Sequence, residues 1–318
     1  MIFDEIKSEI DNAQNIAIFT HRNSDCDALG SSISLKLYLE SLNKNVQIFV
    51  QKPICESYFF LDLKKHCFSK SNMTFDLAIS LDSPSKKRLG IFEKKFDSIK
   101  RSIAIDHHES FDYFADVNYV DSTASSTCLI LHQFFKYVNF EIDQNIALHL
   151  YSGMATDTGC FVHGNMDGRL FNAVGDLFNT GFDFEKANYY LFERRTLGQA
   201  MLYQKAISKV EIFDNEIAII CIEKSVFDET NTTPDDTFGV VDFIRNIEGI
   251  KLSCLLSEYE QDKFMVSIRS RNNIARKTAE VFGGGGHLNA SGCRIYADKE
   301  NAVKQMLDAC KKVLKEEK

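Results

Sequence analysis

The sequence predicts an α/β protein of two domains, and three observations carry that expectation. Short apolar runs alternate with helical segments over the first half of the chain. A polar cluster follows three of those runs directly. After a proline-free helical stretch, a second group of β-rich runs begins. The predicted architecture is an N-terminal doubly wound parallel sheet with helices on both faces (1–186), a helical linker (187–210) and a smaller C-terminal α/β domain with a mixed sheet (211–318).

The elements follow in order. Residues 15–20, "NIAIFT", read as a buried strand, and "GSSISLKLYLESLNK" from Gly30 reads as a helix with Ile33, Leu37 and Leu39 near one face. The stretch between them, "HRNSDCDAL", is then a strand-to-helix loop. "NVQIFV" at 45–50 is a strand, "FDLAISLDSPS" another ending at Asp82, and "RSIAIDHHES" another ending at Asp106, His107 and His108. Strands separated by helices favour a parallel sheet, whose ligands bind beyond the carboxyl ends of the strands. "SSTCLILHQFFKYV" reads as a helix, and "DQNIALHLYSGMATDTGCF" begins as one before turning at Asp157 and its neighbouring glycine.

Composition narrows the function. At 318 residues and 44% apolar, the chain is long enough for two cores. The acidic, amphipathic first residues and the absence of an apolar run near the ~20 residues that span a bilayer predict a soluble cytoplasmic protein with no membrane partner. Nine cysteines without a CxxC pair fit reduced, packing thiols. A net charge of −8 argues against coating long duplex DNA. Oligomeric state is not fixed, and a homodimer stays open.

Four polar clusters would meet beyond the strand ends: His21, Asp25 and Asp27; Asp82; Asp106, His107 and His108; and Asp157. Taken singly, Asp82 or Asp157 reads as a turn former or helix cap. Together they offer more ligands than one ion needs. A mix of carboxylate and imidazole suits Mn²⁺, with Mg²⁺ or Co²⁺ as alternatives, and two ions are the economical reading. Such a pair is machinery for phosphoester hydrolysis.

In this order, "THRNSDCDALGSS", "SLDSPS", "IDHHES" and "SGMATDTGCF" resemble the four motifs of the DHH phosphoesterases. The resemblance implies His21 and Asp25 as ligands of one metal and Asp27 and His107 of the other, with Asp82 and Asp157 as shared carboxylates. It further implies that His108 faces the substrate phosphate and that Asp106 orients the histidine beside it. Cys26, between two implied ligands, is read as packing.

In the second half, "NYYLFERRTLGQAMLYQKAISKV" has helical periodicity and leads to strands such as "VEIFDNEIAIICI" and "KLSCLLSEYEQDKFMVSIRSR". Four glycines, Gly283 to Gly286, then precede His287. A glycine loop counts as an anion site only beside a cation, which Arg269 and Arg271 could supply. "IARKTAEVFGGGGHLNASGCRI" resembles the DHH-associated C-terminal domain, with "NAS" in place of an alanine pair. The resemblance implies substrate contacts from Arg269, Arg271, Gly284, Gly285, Gly286, His287 and Ser291, with substrate held between the domains. Chains of this build resemble the nano-RNase and pAp-phosphatase group, which acts on short oligoribonucleotides and 3′-phosphoadenosine 5′-phosphate.

Alternatives remain within the family. Hydrolysis of linear or cyclic dinucleotides is one, and a RecJ-like exonuclease on single-stranded RNA or DNA is another. Manganese-dependent pyrophosphatases carry a basic segment where this chain has "GGGGHLNASG". A non-catalytic binding protein predicts a missing ligand, and none of the six is missing. With the positive residues near the substrate confined to a short segment around Arg269, Arg271 and Arg276, only a few phosphates can be neutralised, which favours short substrates. His132 and His149 lie in apolar helical runs and read as core residues, His66 as a solvent contact, and His163 as near the site.

Overall fold

The computed structural model describes residues 2–68, 73–162, 164–237 and 239–317. The chain divides into two compact units, residues 1–194 and 195–318.

In the first unit six strands, β1 (Asn15–Phe19), β2 (Asn45–Phe49), β3 (Cys67–Phe68), β4 (Leu77–Leu81), β5 (Arg101–Asp106) and β6 (Val117–Val120), form one sheet. Its order is β3-β2-β1-β4-β5-β6, with every pairing parallel. Alternation of side chains along β1 sends Ile16 and Ile18 into one core and Ala17 and Phe19 into another, so both sheet faces are covered. The strand order reverses between β1 and β4, which opens a crevice at their carboxyl ends. The sequence motifs lie at that crevice.

The helix expected from Gly30 begins earlier, at Cys26, with the Asp25 carboxylate accepting from the Ala28 N–H at its N-terminus. Asp27 is therefore in the first helical turn rather than a loop. Nor does this helix (Cys26–Ser41) show one apolar face: from Cys26 to Lys36 every residue is buried, Ser31, Ser32 and Ser34 included. It packs against helices Thr127–Tyr137 and Gln144–Asp157, and glycines set their spacing. A side chain at Gly30 would collide with the His149 carbonyl.

The second unit holds β7 (Glu211–Phe213), β8 (Ile217–Ile222), β9 (Leu252–Glu260), β10 (Lys263–Ser270), β11 (Gly285–Gly286) and β12 (Ala290–Tyr296), in the order β11-β12-β10-β9-β8-β7. Only β8 and β9 are parallel, so the sheet is mixed. "VEIFDNEIAIICI" makes two strands because Asp214 and Asn215 both take positive φ, the geometry of a two-residue hairpin turn.

The linker expected over 187–210 is not one helix. A helix at Phe184–Asn188 widens into a turn at Tyr189–Glu193, whose Leu191 packs in the first unit's core. A new helix, Leu197–Ile207, starts after Thr196, where Thr196 and Gln199 cap one another reciprocally. Its Leu202 and Ala206 belong to a second-unit core. The pattern T-x-x-Q carried that break in the sequence.

Candidate metal centre

His21 follows β1, Asp82 follows β4, and Asp106 ends β5 with His107 and His108 beyond it. The Asp82 N–H donates to the Ile105 carbonyl at 3.1 Å, which holds these two strand ends together. Asp82 adopts φ 55°, a left-handed conformation that aspartate tolerates better than most residues. Asp157 is the last residue of its helix, ahead of the Thr158 cap.

The ligand-type atoms fall into three overlapping groups: His21, Asp25 and Asp82; Asp27, His107 and Asp157; and Asp82, His107 and His108. Within each group they lie within 4.8 Å of one another. His21 Nε2 stands 3.5 Å from Asp25 and 3.6 Å from Asp82, while His107 Nε2 stands 3.5 Å from Asp82 and 3.2 Å from Asp157. Asp82 thus reaches both histidines. Asp157 falls in one group only, unlike the shared position that the resemblance implied for it.

Charge is badly balanced among these groups. Burial opposes charge on His21, but Asp25 and Asp82 overcome it and push it up to about 11. Burial is likewise outweighed at His107, which Asp157 and Asp82 hold well above its ordinary value. Burial, then Asp82 and Asp157, raise Asp27 well above the usual carboxylate range, and Asp157 is pushed up to about 6 mainly by burial. Burial also works to raise Asp82, yet His107 and His21 keep it well below. A pocket that holds protons on its histidines this strongly favours any cation that can replace them. Its imidazole and carboxylate donors fit a divalent metal.

The carboxylates are held from behind. Asp27 Oδ2 accepts from the Thr127 N–H at 2.7 Å and Oδ1 from the Cys128 N–H at 2.9 Å, at the positive N-terminus of helix Thr127–Tyr137. The Thr127 hydroxyl donates to Asp82 Oδ1 at 3.1 Å. Thr127 belongs to none of the four sequence motifs, although "SST" ahead of an apolar helix is a capping signal. Asp106 Oδ1 accepts from both the N–H and Nδ1 of His108, at 2.6 and 2.7 Å, so it orients His108 rather than the adjacent His107.

The other expectations divide. Cys26 is fully buried, as a packing residue should be, and all nine cysteines are free, though Cys55 and Cys160 are exposed. His132 and His149 are buried. So is His66, at 3% exposure, which corrects its reading as a solvent contact: it packs beside His149. His163 lies outside the described residues.

In the second unit, Arg269 Nε pairs with Asp242 at 3.3 Å, Arg271 bonds Asn246 at 3.3 Å, and Arg276 pairs with Glu280 at 3.2 Å. These cations already have partners. A Cβ at Gly284 would lie 2.6 Å from that of Cys293, and one at Gly286 would lie 2.7 Å from the Ala290 carbonyl. Those two glycines are required by close approach to β12, whereas Gly285 has open space around it. Ser291 Oγ donates to the His287 carbonyl at 2.7 Å and fixes that turn. A groove of about 490 Å³ borders the glycine run, lined by Ser267, Phe282, Gly284 and Arg294.

Carboxylates and imidazoles gathered at the switch point of a parallel α/β sheet define a metal-dependent hydrolase. Comparison with known proteins makes the assignment specific. Residues 15–154 match the DHH family, N-terminal domain, and residues 214–316 match the DHHA1 domain. The chain belongs to the DHH phosphoesterase family, with DHHA1 as its second domain. It is 26% identical over 290 residues to the bifunctional oligoribonuclease and PAP phosphatase NrnA of Bacillus subtilis, covering 89% of this chain and 90% of that one. The crystal structure of an exopolyphosphatase-related protein from Bacteroides fragilis superposes with a TM-score of 0.92 at 25% identity, over 98% and 96% of the two chains. A crystal structure of exonuclease RecJ bound to manganese shares the fold more distantly, with a TM-score of 0.55 at 14% identity over 97% and 92% of the chains. Among the described residues no helix is long and apolar enough to cross a membrane.

Proposed function

We propose that this protein hydrolyses short oligoribonucleotides to mononucleotides and 3′-phosphoadenosine 5′-phosphate to AMP. The observation that carries the reading is the adjoining of two His/Asp groups through Asp82. With histidines neutral as ligands, Asp25, Asp27, Asp82 and Asp157 bring four negative charges, which two divalent cations balance. His21, Asp25 and Asp82 would hold one, and Asp27, His107, Asp157 and Asp82 the other. Manganese suits this donor set, with magnesium and cobalt as alternatives. Bound there, the ions supply a water of lowered pKa and polarise the phosphoryl oxygens.

The rest is work for the chain. The Asp106 carboxylate accepts a hydrogen bond from the His108 Nδ1–H and so fixes the tautomer, leaving Nε2 to meet the substrate. Burial opposes charge on His108, while Asp106 and Asp82 raise its pKa, and a protonated ring there would donate to a phosphoryl or leaving oxygen. In the second unit, Arg269, Arg271, His287, Ser291 and the run Gly284–Gly286 are the proposed nucleotide contacts, with Arg269 and Arg271 exchanging Asp242 and Asn246 for a phosphate. The relative from Bacillus subtilis supports the substrate class through its name.

The test is initial rate against length for end-labelled RNA at one salt concentration. Dimers to pentamers should be degraded faster than a 24-mer, and the bisphosphate should yield AMP. Faster cleavage of the 24-mer would transfer the protein to exonucleases acting on long strands, and turnover of cyclic or linear dinucleotides alone would make it a signalling phosphodiesterase.

A further inference from the structure

Among the described residues, no carboxylate pairs with the charge of Arg88. Arg88 lies in the turn Lys86–Phe92, six residues after Asp82. Its carbonyl accepts from the Arg22 N–H at 2.7 Å and its own N–H donates to Ser85 at 3.0 Å, so its backbone ties the His21 loop to the Asp82 loop. The side chain ends against His21, with Nη2 3.4 Å from Nδ1. That ring nitrogen already meets the Arg22 carbonyl at 2.8 Å. For His21 to turn a ligating Nε2 toward Asp25 and Asp82, Nδ1 must carry the proton. Two N–H groups then face each other, and the arginine gains no acceptor.

Among the described residues, Arg88 Nε is buried without a hydrogen-bond partner. Among the described residues neither Arg88 nor the exposed Arg22 forms an ion pair, whereas Arg101, Arg169 and Arg269 each hold a carboxylate. A desolvated guanidinium donor without an acceptor is costly, and the cost is removed when an anion arrives. The planar fork of arginine matches phosphate oxygens in pairs. One imidazole ring separates this fork from the carboxylates around Asp82. An anion on Arg88 is therefore a neighbour of the reacting group, not the reacting group itself.

We propose that Arg88, with Arg22 beside it, forms an anion subsite in the first unit for a second phosphate, one position along the substrate from the group being hydrolysed. The inference rests on the nucleotide reading above and sharpens it. The preferred class becomes substrates with two closely spaced phosphates, such as a 5′-phosphorylated dinucleotide or a nucleoside bisphosphate.

Two measurements test it. The first compares kcat/KM for pApA and ApA in the wild type, Arg88→Ala and Arg88→Lys, with bound metal per chain measured alongside. The wild type should prefer pApA, and Arg88→Ala should reduce that preference about tenfold, as loss of one charge-assisted contact would. Arg88→Lys should restore part of it. If both substrates fall together and the ratio stays within about twofold, or if metal is lost, Arg88 is only a prop for the His21 loop and the subsite is wrong. The second measures inhibition of bis-p-nitrophenyl phosphate hydrolysis by adenosine 3′,5′-bisphosphate and by AMP. The bisphosphate's advantage over AMP should vanish in Arg88→Ala, and its persistence overturns the subsite. Should neither dinucleotide be cleaved while that advantage still depends on Arg88, the subsite stands and the oligoribonuclease reading falls.

Discussion

Replacing Thr127 by valine removes one hydroxyl and leaves the rest of the centre in place. Thr127 is fully buried, and its Oγ donates to Asp82 Oδ1 at 3.1 Å, while its backbone N–H, which valine keeps, serves Asp27. Valine has nearly the same shape, so the packing change is small. The lost contact is a hydrogen bond to a buried carboxylate, worth about 1.5–3 kcal/mol. Groups that orient metal ligands in this way typically govern affinity by about 10–100-fold, the same range expressed as a ratio. Manganese titration by calorimetry should show affinity weakened by that factor in Thr127→Val and mostly recovered in Thr127→Ser. Melting of the chelated proteins separates ligand positioning from general destabilisation. Equal manganese affinity in wild type and Thr127→Val, or a Thr127→Ser variant as weak as the valine, would refute the claim that this hydroxyl sets the Asp82 carboxylate.

Excess chelator should abolish hydrolysis of bis-p-nitrophenyl phosphate and manganese should restore it better than calcium, whose larger, flexible coordination fits this donor set poorly; full activity in chelator would remove the metal mechanism. Asp82→Ala should lose bound metal and turnover together, whereas His287→Ala should keep its metal and raise KM, so metal loss in the latter would misplace His287. Gly153→Ala would set a methyl 2.8 Å from Asp27 Oδ1, and overpacking of about 1–3 kcal/mol should appear in the melting of the metal-free protein, with an unchanged melt counting against the packing account. Burial, with His149 and Lys36 nearby, lowers His66 to about 4. The unfolded chain takes up that proton near pH 6.5 and the fold only near 4, so stability falls as pH drops through this window, by about 3 kcal/mol in all. His66→Leu should flatten the window in urea unfolding at pH 7 and 4.5, and identical pH dependence in both proteins would exclude His66 as its source.

The sequence by itself determined the strands β1, β2, β4 and β5 and the placing of each polar cluster just beyond a strand or helix end. Period and punctuation encode those features locally: an apolar run stops where a charged residue must stay near solvent or a ligand. Weak local signals were lost. β6 has four residues and β3 two, too short for a period to show, and the break at Thr196 was hidden inside a stretch with continuous helical character. His66 looked exposed because its neighbours are lysines, yet its burial depends on a distant helix carrying His149.

Only the tertiary structure decided which ligands share a group. Asp82 lies within 3.6 Å of both His21 and His107, residues 61 positions before it and 25 after it in the chain, because β1, β4 and β5 are neighbours in the sheet order. The same folding put the N-terminus of helix Thr127–Tyr137 behind Asp27, 100 residues earlier, and turned Asp106 onto His108. It also separated arginines that pair with carboxylates from Arg88, which pairs with none among the described residues. Composition counts these charges alike, since pairing depends on distances of a few ångströms between segments far apart in sequence, and only the packed chain sets those distances.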